Sequence, residues 1–420
     1  MDEVLMRRAI ERKRDGEALE PALWGNVVEA YLGGDVDDAQ MAALAMACVW
    51  RGLDVVEAAA LTRAMVESGA TLQYPAGMFV VDKHSSGGVS DIVSLVAVPL
   101  VASCGVRVAK LSGRALGHTG GTIDKLEAIA GFNTTPSMDA FVKQVERVGC
   151  AIAAQSESFV PADKRLYHLR DRTGTVPSIG LIATSIVSKK IAGGANAFVF
   201  DVKCGSAAFM RDVEQAKALA QMLVDISQQF GRKAHAIVSD MNEPLGQCIG
   251  TGLETIEARE VLRGRGGDAR VRDGCVQIAS TMLELGGMSD GRACALRALD
   301  DGSAYEKFVE MIEAQGASRA ALESLAPDPH DEPLRSQSAG VVTAIDAVQL
   351  GNAARGLTQR SNVAGIRLHV RVGDRVDRGT LLAEIYGHGA SSEAIESAFT
   401  IGRESPEHRP LVIATLAGCA

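Results

Sequence analysis

Apolar residues recur at helical spacing through the N-terminal region. Met41, Leu44, Ala45, Cys48 and Val49 form one stripe behind Asp37 and Asp38, a pattern that predicts an amphipathic helix lying on a core. Asp54 and Glu57 supply a helix-start signal ahead of Ala58, Leu61 and Met65. The texture then changes to short β-type runs that end in polar or glycine-rich loops: Phe79 to Asp82, Val106 to Leu111, Ala197 to Val202 and Ala234 to Ser239. Helical tracts over 138–148, 213–230 and 255–262 separate them. Such alternation predicts an α/β fold with a largely parallel sheet, whose ligands sit at the carboxyl ends of the strands. Pro327, Pro329 and Pro333, mixed with Asp328, Asp331 and Glu332, predict a linker over 326–338. Short strands beginning at Gly340, Gly365 and Gly373 predict a small β-rich C-terminal domain.

Composition narrows the picture. A chain of 420 residues predicts two or three domains at roughly 100–200 residues each. The net charge of −9 disfavours nucleic acid as a partner, because sequence-independent binding needs a basic surface. Aromatic residues make up 4%, too few for base-stacking platforms. The charged N-terminus, Met1 to Arg8, is not read as a signal peptide. The apolar run from Ile92 to Val106 is interrupted by Ser94, Pro99, Ser103 and Gly105 and is too short to span a bilayer, so no membrane partner is expected. The eight cysteines are scattered, with no C-x-x-C pair, which fits free thiols in a reducing cytoplasm.

Three polar tracts carry the candidate chemistry. Lys83-His84-Ser85-Ser86-Gly87-Gly88-Val89-Ser90-Asp91 follows a strand and combines a cation, an imidazole, hydroxyls and adjacent glycines. Glycines let backbone N–H groups converge on an anion, and the lysine adds charge. A polar surface turn is the plain alternative. Ser112-Gly113-Arg114 through Gly120-Gly121-Thr122-Ile123-Asp124 is a second glycine-rich loop, with a helix expected from Asp124 whose N-terminus would favour an anion. It lacks the dinucleotide and triphosphate signatures. The third tract, Pro161 to Asp171, is followed by Ser185-Ile186-Val187-Ser188-Lys189-Lys190. Its two cationic clusters flank an apolar segment over 176–186; solvated charges on helix ends are the alternative there.

Together these tracts and Asp201-Val202-Lys203 resemble the thymidine/pyrimidine-nucleoside phosphorylase family, in the family's order along nearly the whole chain. The resemblance implies a split all-helical domain (1–66 and 162–192), an α/β phosphate-binding domain facing it across a cleft (67–161 and 193–326), and a C-terminal α+β domain (335–420). It implies phosphorolysis of a pyrimidine nucleoside (uridine, thymidine or deoxyuridine) by orthophosphate, releasing the base and (deoxy)ribose 1-phosphate, with no other cofactor. Lys83, Ser85, Ser94, Lys110, Ser112 and Thr122 match the phosphate ligands. Arg170, Ser185 and Lys189 match the groups that hold the pyrimidine, and Arg170 and Lys189 would bind the departing base more tightly as it becomes an anion. His84 is placed to hydrogen-bond or protonate the base carbonyl; His118 competes for that role, and Asp163 and Asp124 would orient their neighbours. Lysine at position 110 leans towards a broad pyrimidine specificity. The family also implies a cytoplasmic homodimer, for which the stripe Leu44, Ala45, Cys48 and Val49 offers a surface.

Some broad-specificity relatives hold a monovalent cation near the Gly-Gly-Val loop; the matching positions here include Ser90, Ile92 and Glu257. Ile92 offers no side-chain oxygen, so no metal is expected. Other departures are Ser86 for threonine, and Ser90, Ala115 and Ala207 for glycine. A side chain at a position with positive φ would cost on the order of 1 kcal/mol. Arg172 stands where an apolar residue is usual, next to the presumed base site, and is expected to shift base preference. Two alternatives remain open: a catalytically weakened paralogue that only binds nucleoside, and a phosphoribosyltransferase of related fold. The latter needs magnesium-ligating carboxylates, for which no acidic pair is found.

Overall fold

Capping decides where the N-terminal helices begin. The elements are α1 (Glu3–Asp15), α2 (Pro21–Gly33), α3 (Asp38–Arg51) and α4 (Val55–Glu67). Asp37 and Asp54 each accept a hydrogen bond from the backbone three residues on, and Gln40 and Glu57 reach back to complete the two caps. The computed structural model describes residues 3–114, 120–156, 158–266, 269–389, 392–407 and 409–418. The middle of the chain runs β1 (Val80–Ser85), α5 (Val93–Ser103), β2 (Arg107–Ser112), α6 (Thr122–Leu126), α7 (Met138–Val148), β3 (Cys150–Ala154), α8 (Pro161–Thr173), α9 (Ile179–Ala192), β4 (Ala197–Cys204), α10 (Val213–Gln229) and β5 (Lys233–Asp240). It continues with β6 (Cys248–Ile249), α11 (Thr251–Leu262), α12 (Ala269–Leu285), α13 (Gly291–Asp300), α14 (Ser303–Ala314) and α15 (Arg319–Glu323). The last part holds β7 (His330–Arg335), β8 (Gly340–Ile345), α16 (Ala347–Thr358), β9 (Gly365–Leu368), β10 (Arg375–Val376), β11 (Leu381–Tyr386), α17 (Ser392–Glu396), β12 (Phe399–Gly402) and β13 (Val412–Ala417).

The fold is α/β, as the alternation predicts. A six-stranded sheet has the order β13-β5-β4-β1-β2-β3. Its strands are parallel except β13, which joins the edge of β5 antiparallel. The final strand therefore returns to the central sheet and does not stay with the C-terminal domain. Register sets His84 beside Phe200 and Ser85 beside Asp201, so the carboxyl ends of β1 and β4 lie together. Strand alternation then sorts the side chains. Val81 joins the core under α5, while Val80 belongs to the core shared with the helical region. Lys83 follows Val81 and reaches Ser94 on α5; Asp82 follows Val80 and meets Lys190 on α9.

The helices α8 and α9 return to pack beside α3 and α4, which gives the split helical unit. Its core includes the buried Leu44, Ala45 and Cys48. These residues are therefore not a surface for a partner. On α1 and α3 the exposed apolar side chains are Val4, Leu5, Met46 and Trp50. Two sequence expectations need correction in the last third. The proline-rich stretch expected as a linker contains β7, paired antiparallel with β11 at the edge of the sheet β6-β9-β11-β7; an edge strand tolerates Pro333 because one of its sides needs no ladder bond. The helix expected from Asp124 is only Thr122–Leu126, too short to build a substantial dipole.

The helical unit also encloses an ion pair. Glu57 accepts from Lys13 Nζ at 2.6 Å, from the Leu19 N–H at 2.9 Å and from the Asp54 N–H at 3.2 Å. Both side chains are buried. Removing one partner strands the other charge, which costs about 3–5 kcal/mol. Glu57→Ala is therefore expected to lower the thermal midpoint by several degrees, read by circular dichroism. An unchanged midpoint would show that water replaces the carboxylate at no cost.

Candidate active site

Buried lysines crowd the carboxyl ends of the parallel strands. Lys83, Lys110, Lys125, Lys190 and Lys203 are all nearly inaccessible. Four have carboxylates in reach: Lys83 lies 3.4 Å and Lys203 2.7 Å from Asp201, Lys125 is 2.6 Å from Glu254, and Lys190 is 2.6 Å from Asp82. Lys110 has no carboxylate within ion-pair distance among the described residues; its ammonium makes a long contact of 3.5 Å to the Leu111 carbonyl. Burial, reinforced by Lys190 and Lys83, pulls its pKa well below that of an ordinary lysine. A buried amine with no carboxylate at ion-pair distance, at a strand end, is suited to an anion whose charge would favour its protonated form.

The loop after β1 supplies the neighbouring donors. Ser85 Oγ donates to Asp91 Oδ2 at 2.6 Å, and the Gly87 N–H donates to Ser85 Oγ. Burial alone would raise the Asp91 pKa, but Lys203, Lys83 and Lys125 hold it far below the usual carboxylate range. Ser86 Oγ accepts from the Lys203 N–H at 2.8 Å and ties the loop to β4. A Cβ on Gly88 would meet the end of the Met241 side chain, which would have to shift to admit it. Burial and the charges of Lys190, Lys110, Lys189 and Lys83 push the His84 pKa well below 6.5, so its imidazole is neutral at pH 7.

The opposing wall comes from α8 and α9. Arg170 is buried and spends donors on the carbonyls of Thr175, Val176 and Leu181, at 3.2, 2.8 and 2.9 Å. This shapes the turn between the two helices. One helical turn separates Lys189 from Ser185, and Lys189 Nζ donates to Ser185 Oγ at 2.8 Å. The same ammonium lies 2.5 Å from the buried Asp163. Val176, Ile182 and Ile186 form apolar surface between these polar groups.

Both walls line one cavity of about 400 Å³. It brings together His84, Ser85, Ser94, Lys110, Ser112, Thr122, Arg170, Ser185 and Lys189. Lys83 is the exception: it is fully buried behind the surface, held by Asp201 and Ser94. The cavity also recruits Lys125, Asp91, Tyr167 and Phe209, which sequence reasoning did not single out as site residues. Asp91 closes the first glycine-rich tract and Lys125 directly follows the second, so their charge beside glycine-rich loops was the available signal. Asp124 sits beneath the rim, where it accepts from the Gly121 N–H and pairs with Arg114.

The departures sort themselves by backbone and exposure. Ser90 has φ of 58° and is strained, whereas Ala207 has no positive φ and sits buried with its N–H on the Met241 carbonyl. Arg172 is exposed and does not line the cavity. His118 and Ala115 lie outside the described residues. Among the described residues no group of three or more His, Cys, Asp or Glu side chains is placed to hold a metal ion, and no helix is long and apolar enough to cross a membrane.

Comparisons with known proteins agree with this geometry. Residues 7–69 match the helical bundle domain of the glycosyl transferase family, and residues 78–305 match its a/b domain. The chain is 45% identical over 395 residues to pyrimidine-nucleoside phosphorylase of Geobacillus stearothermophilus, covering 90% of this chain and 91% of that protein. It is 43% identical over 418 residues to thymidine phosphorylase of Mycobacterium tuberculosis, covering 96% of each. Anthranilate phosphoribosyltransferase of Thermus thermophilus shares the fold, with a TM-score of 0.60 and 21% identity over 75% of this chain and 99% of that one. On family models that span more than half its length, and on relatives of this similarity, the chain belongs to the thymidine/pyrimidine-nucleoside phosphorylase family of glycosyl transferases.

Proposed function

We propose that this chain catalyses the phosphorolysis of pyrimidine nucleosides, with uridine, thymidine and deoxyuridine as substrates and orthophosphate as co-substrate. The observation that carries the reading is a single cavity with an unneutralised buried Lys110 on one wall and the Arg170–Lys189 cluster on the other. A phosphate oxygen forms a bond to C1′ while the C1′–N1 bond breaks. The electron pair leaves with the base, which is protonated afterwards. Phosphate is held by Lys110, Ser85, Ser94, Ser112 and Thr122, with Lys83 acting from behind through Ser94. Arg170, Ser185 and Lys189 receive the charge that develops on the pyrimidine, which is where fixed cations lower a barrier. His84 hydrogen-bonds the base carbonyl. A bound phosphate dianion opposes the lysine charges that keep this imidazole neutral, so phosphate readies it to share a proton.

The two sets of ligands belong to different parts of the chain. We assign the helical unit to 1–66 and 162–192, the α/β unit to 67–161 and 193–326 together with β13, and the C-terminal unit to the rest of 335–420; closure of the first onto the second excludes water. No cofactor beyond phosphate enters the reading. A cytoplasmic setting is supported by the free state of the described cysteines. We assign a homodimer, held by the apolar groove of α1 and α3 where Trp50 and Met46 are exposed beside Ile10 and Ala43. Trp50→Glu is expected to convert dimer to monomer in sedimentation velocity; an unaltered dimer would move the interface elsewhere.

Phosphate-dependent release of uracil or thymine from a panel of pyrimidine nucleosides tests the activity directly. Folded protein that releases no base would remove the reading. Lys189→Ala should lower kcat/KM for nucleoside about 100-fold or more while the KM for phosphate moves little. Equal loss on both substrates would place Lys189 in a general structural role.

The pKa of Lys110 gives a second, independent signature. Its pKa is depressed in the free protein and rises when an anion binds. Below the free value the amine is protonated in both states; between the free and bound values, binding takes up a proton and affinity falls as pH rises. Calorimetry in buffers of different ionisation heat reads that uptake. In Lys110→Met the part of the uptake beyond that of the other groups should vanish, and the phosphate KM should rise about tenfold or more. An unchanged KM would take Lys110 out of the phosphate site.

A further inference from the structure

Some broad-specificity relatives hold a monovalent cation at positions that match Ser90, Ile92 and Glu257, and the residues present here do not fit one. Glu257 uses Oε1 for the Gln247 N–H at 2.8 Å and Oε2 for the Cys248 N–H at 2.9 Å. The backbone carbonyls around it already carry donors. The Cys248 carbonyl accepts from Ser90 Oγ, the Ser90 carbonyl from the Gly246 N–H at 3.2 Å, and the Pro244 and Leu245 carbonyls from Arg371 at 2.6 and 2.9 Å. A Cβ built on Gly246 would strike both Ser90 Oγ and Glu257 Oε2. The serine hydroxyl and the carboxylate thus converge on one tight point beside that glycine. Ile92 is fully buried and brings no oxygen. Burial pushes the Glu257 carboxyl up to about 7, offset in part by its two backbone donors and by the charge of Arg371.

We infer that Ser90 and Arg371 together do the bracing that a bound monovalent cation would do, so that the phosphate loop of this chain is locked by its own donors and is indifferent to potassium. The backbone supports this. Ser90 adopts a left-handed conformation that disfavours any side chain, and it is fully buried. What that strain secures is a direct tie from the loop after β1 to β6, which pairs with β9 of the C-terminal unit. The next residue, Asp91, holds Ser85 through its carboxylate and Lys125 through its carbonyl. Ser90 is therefore a positioning residue: it acts on phosphate through Asp91 and Ser85.

The test uses the full chain and potassium, rubidium and choline chlorides at equal ionic strength. For the wild type, Tm should agree between potassium and choline to within ~1 °C, and a rubidium-soaked crystal should give no anomalous peak between Cys248 and Glu257. Ser90→Gly removes the hydroxymethyl group and opens the point it fills. Potassium should then raise Tm over choline by roughly 3 °C or more, and rubidium should appear at the vacated point. The phosphate KM of this variant should rise severalfold in choline and recover in potassium, with kcat less affected; this arm alone rests on the proposed phosphorolysis. A potassium-selective rise in wild-type Tm, or a rubidium peak in the wild type, would overturn the inference. So would a folded Ser90→Gly protein that responds to potassium no more than the wild type. Should the variant fail to fold, the two wild-type measurements decide.

Discussion

A lysine buried without a carboxylate stays charged only if something else supplies the negative charge, and Lys110 is in that position. The neighbouring cations do not relieve it. Lys190 has Asp82, Lys125 has Glu254, and Lys83 and Lys203 share Asp201. The pairs fix the strand ends and the loop between them, while the excess positive charge is left facing the cavity. A dianion entering there gains the field of several lysines whose desolvation was already met on folding. A phosphate site of the kind proposed is thus compatible with a net charge of −9: the local arrangement, not the global sign, sets the potential.

The same excess charge governs the chemistry next door. His84 shares the strand β1 with Lys83, and burial together with the surrounding lysines keeps its imidazole neutral. In the proposed reading, phosphate would weaken that restraint, so that binding of one substrate would prepare the group that serves the other. Order of binding and protonation are then linked through electrostatics alone, with no moving part required on the phosphate side.

Much of this was legible because the sheet advertises itself. Val80-Val81, Val199 and Val238 make β-type runs, and each ends in serine, glycine or aspartate at the strand's carboxyl end. What stayed hidden has specific causes. Strand β3 reads Cys-Ala-Ile-Ala-Ala, and alanine carries little β signal. Strand β13 lies far along the chain from the strand it joins, so only tertiary pairing reveals it. The place of Lys83 behind the cavity follows from alternation with Val81, but which face of a strand is open cannot be read before its neighbours are known. The exposed face of α3 is hard to read from sequence for a related reason: Leu44 and Cys48 look like a docking stripe until α8 is seen to pack on that helix.

The base side works by a different economy of donors. An ammonium has three N–H bonds. On Lys189, Asp163 and Ser185 take two of them, and the geometry of the third follows from the first two. Arg170 is fixed likewise by three backbone carbonyls, which leaves part of its fork to the cavity. These groups lose little orientational freedom when charge appears on the pyrimidine, because their own neighbours have already oriented them. Asp163 orients the Lys189 ammonium at the cost of part of its positive field. In the proposed reading, a difference between ground state and transition state, rather than tight binding of either, is what would let two helices carrying one lysine and one arginine speed bond cleavage.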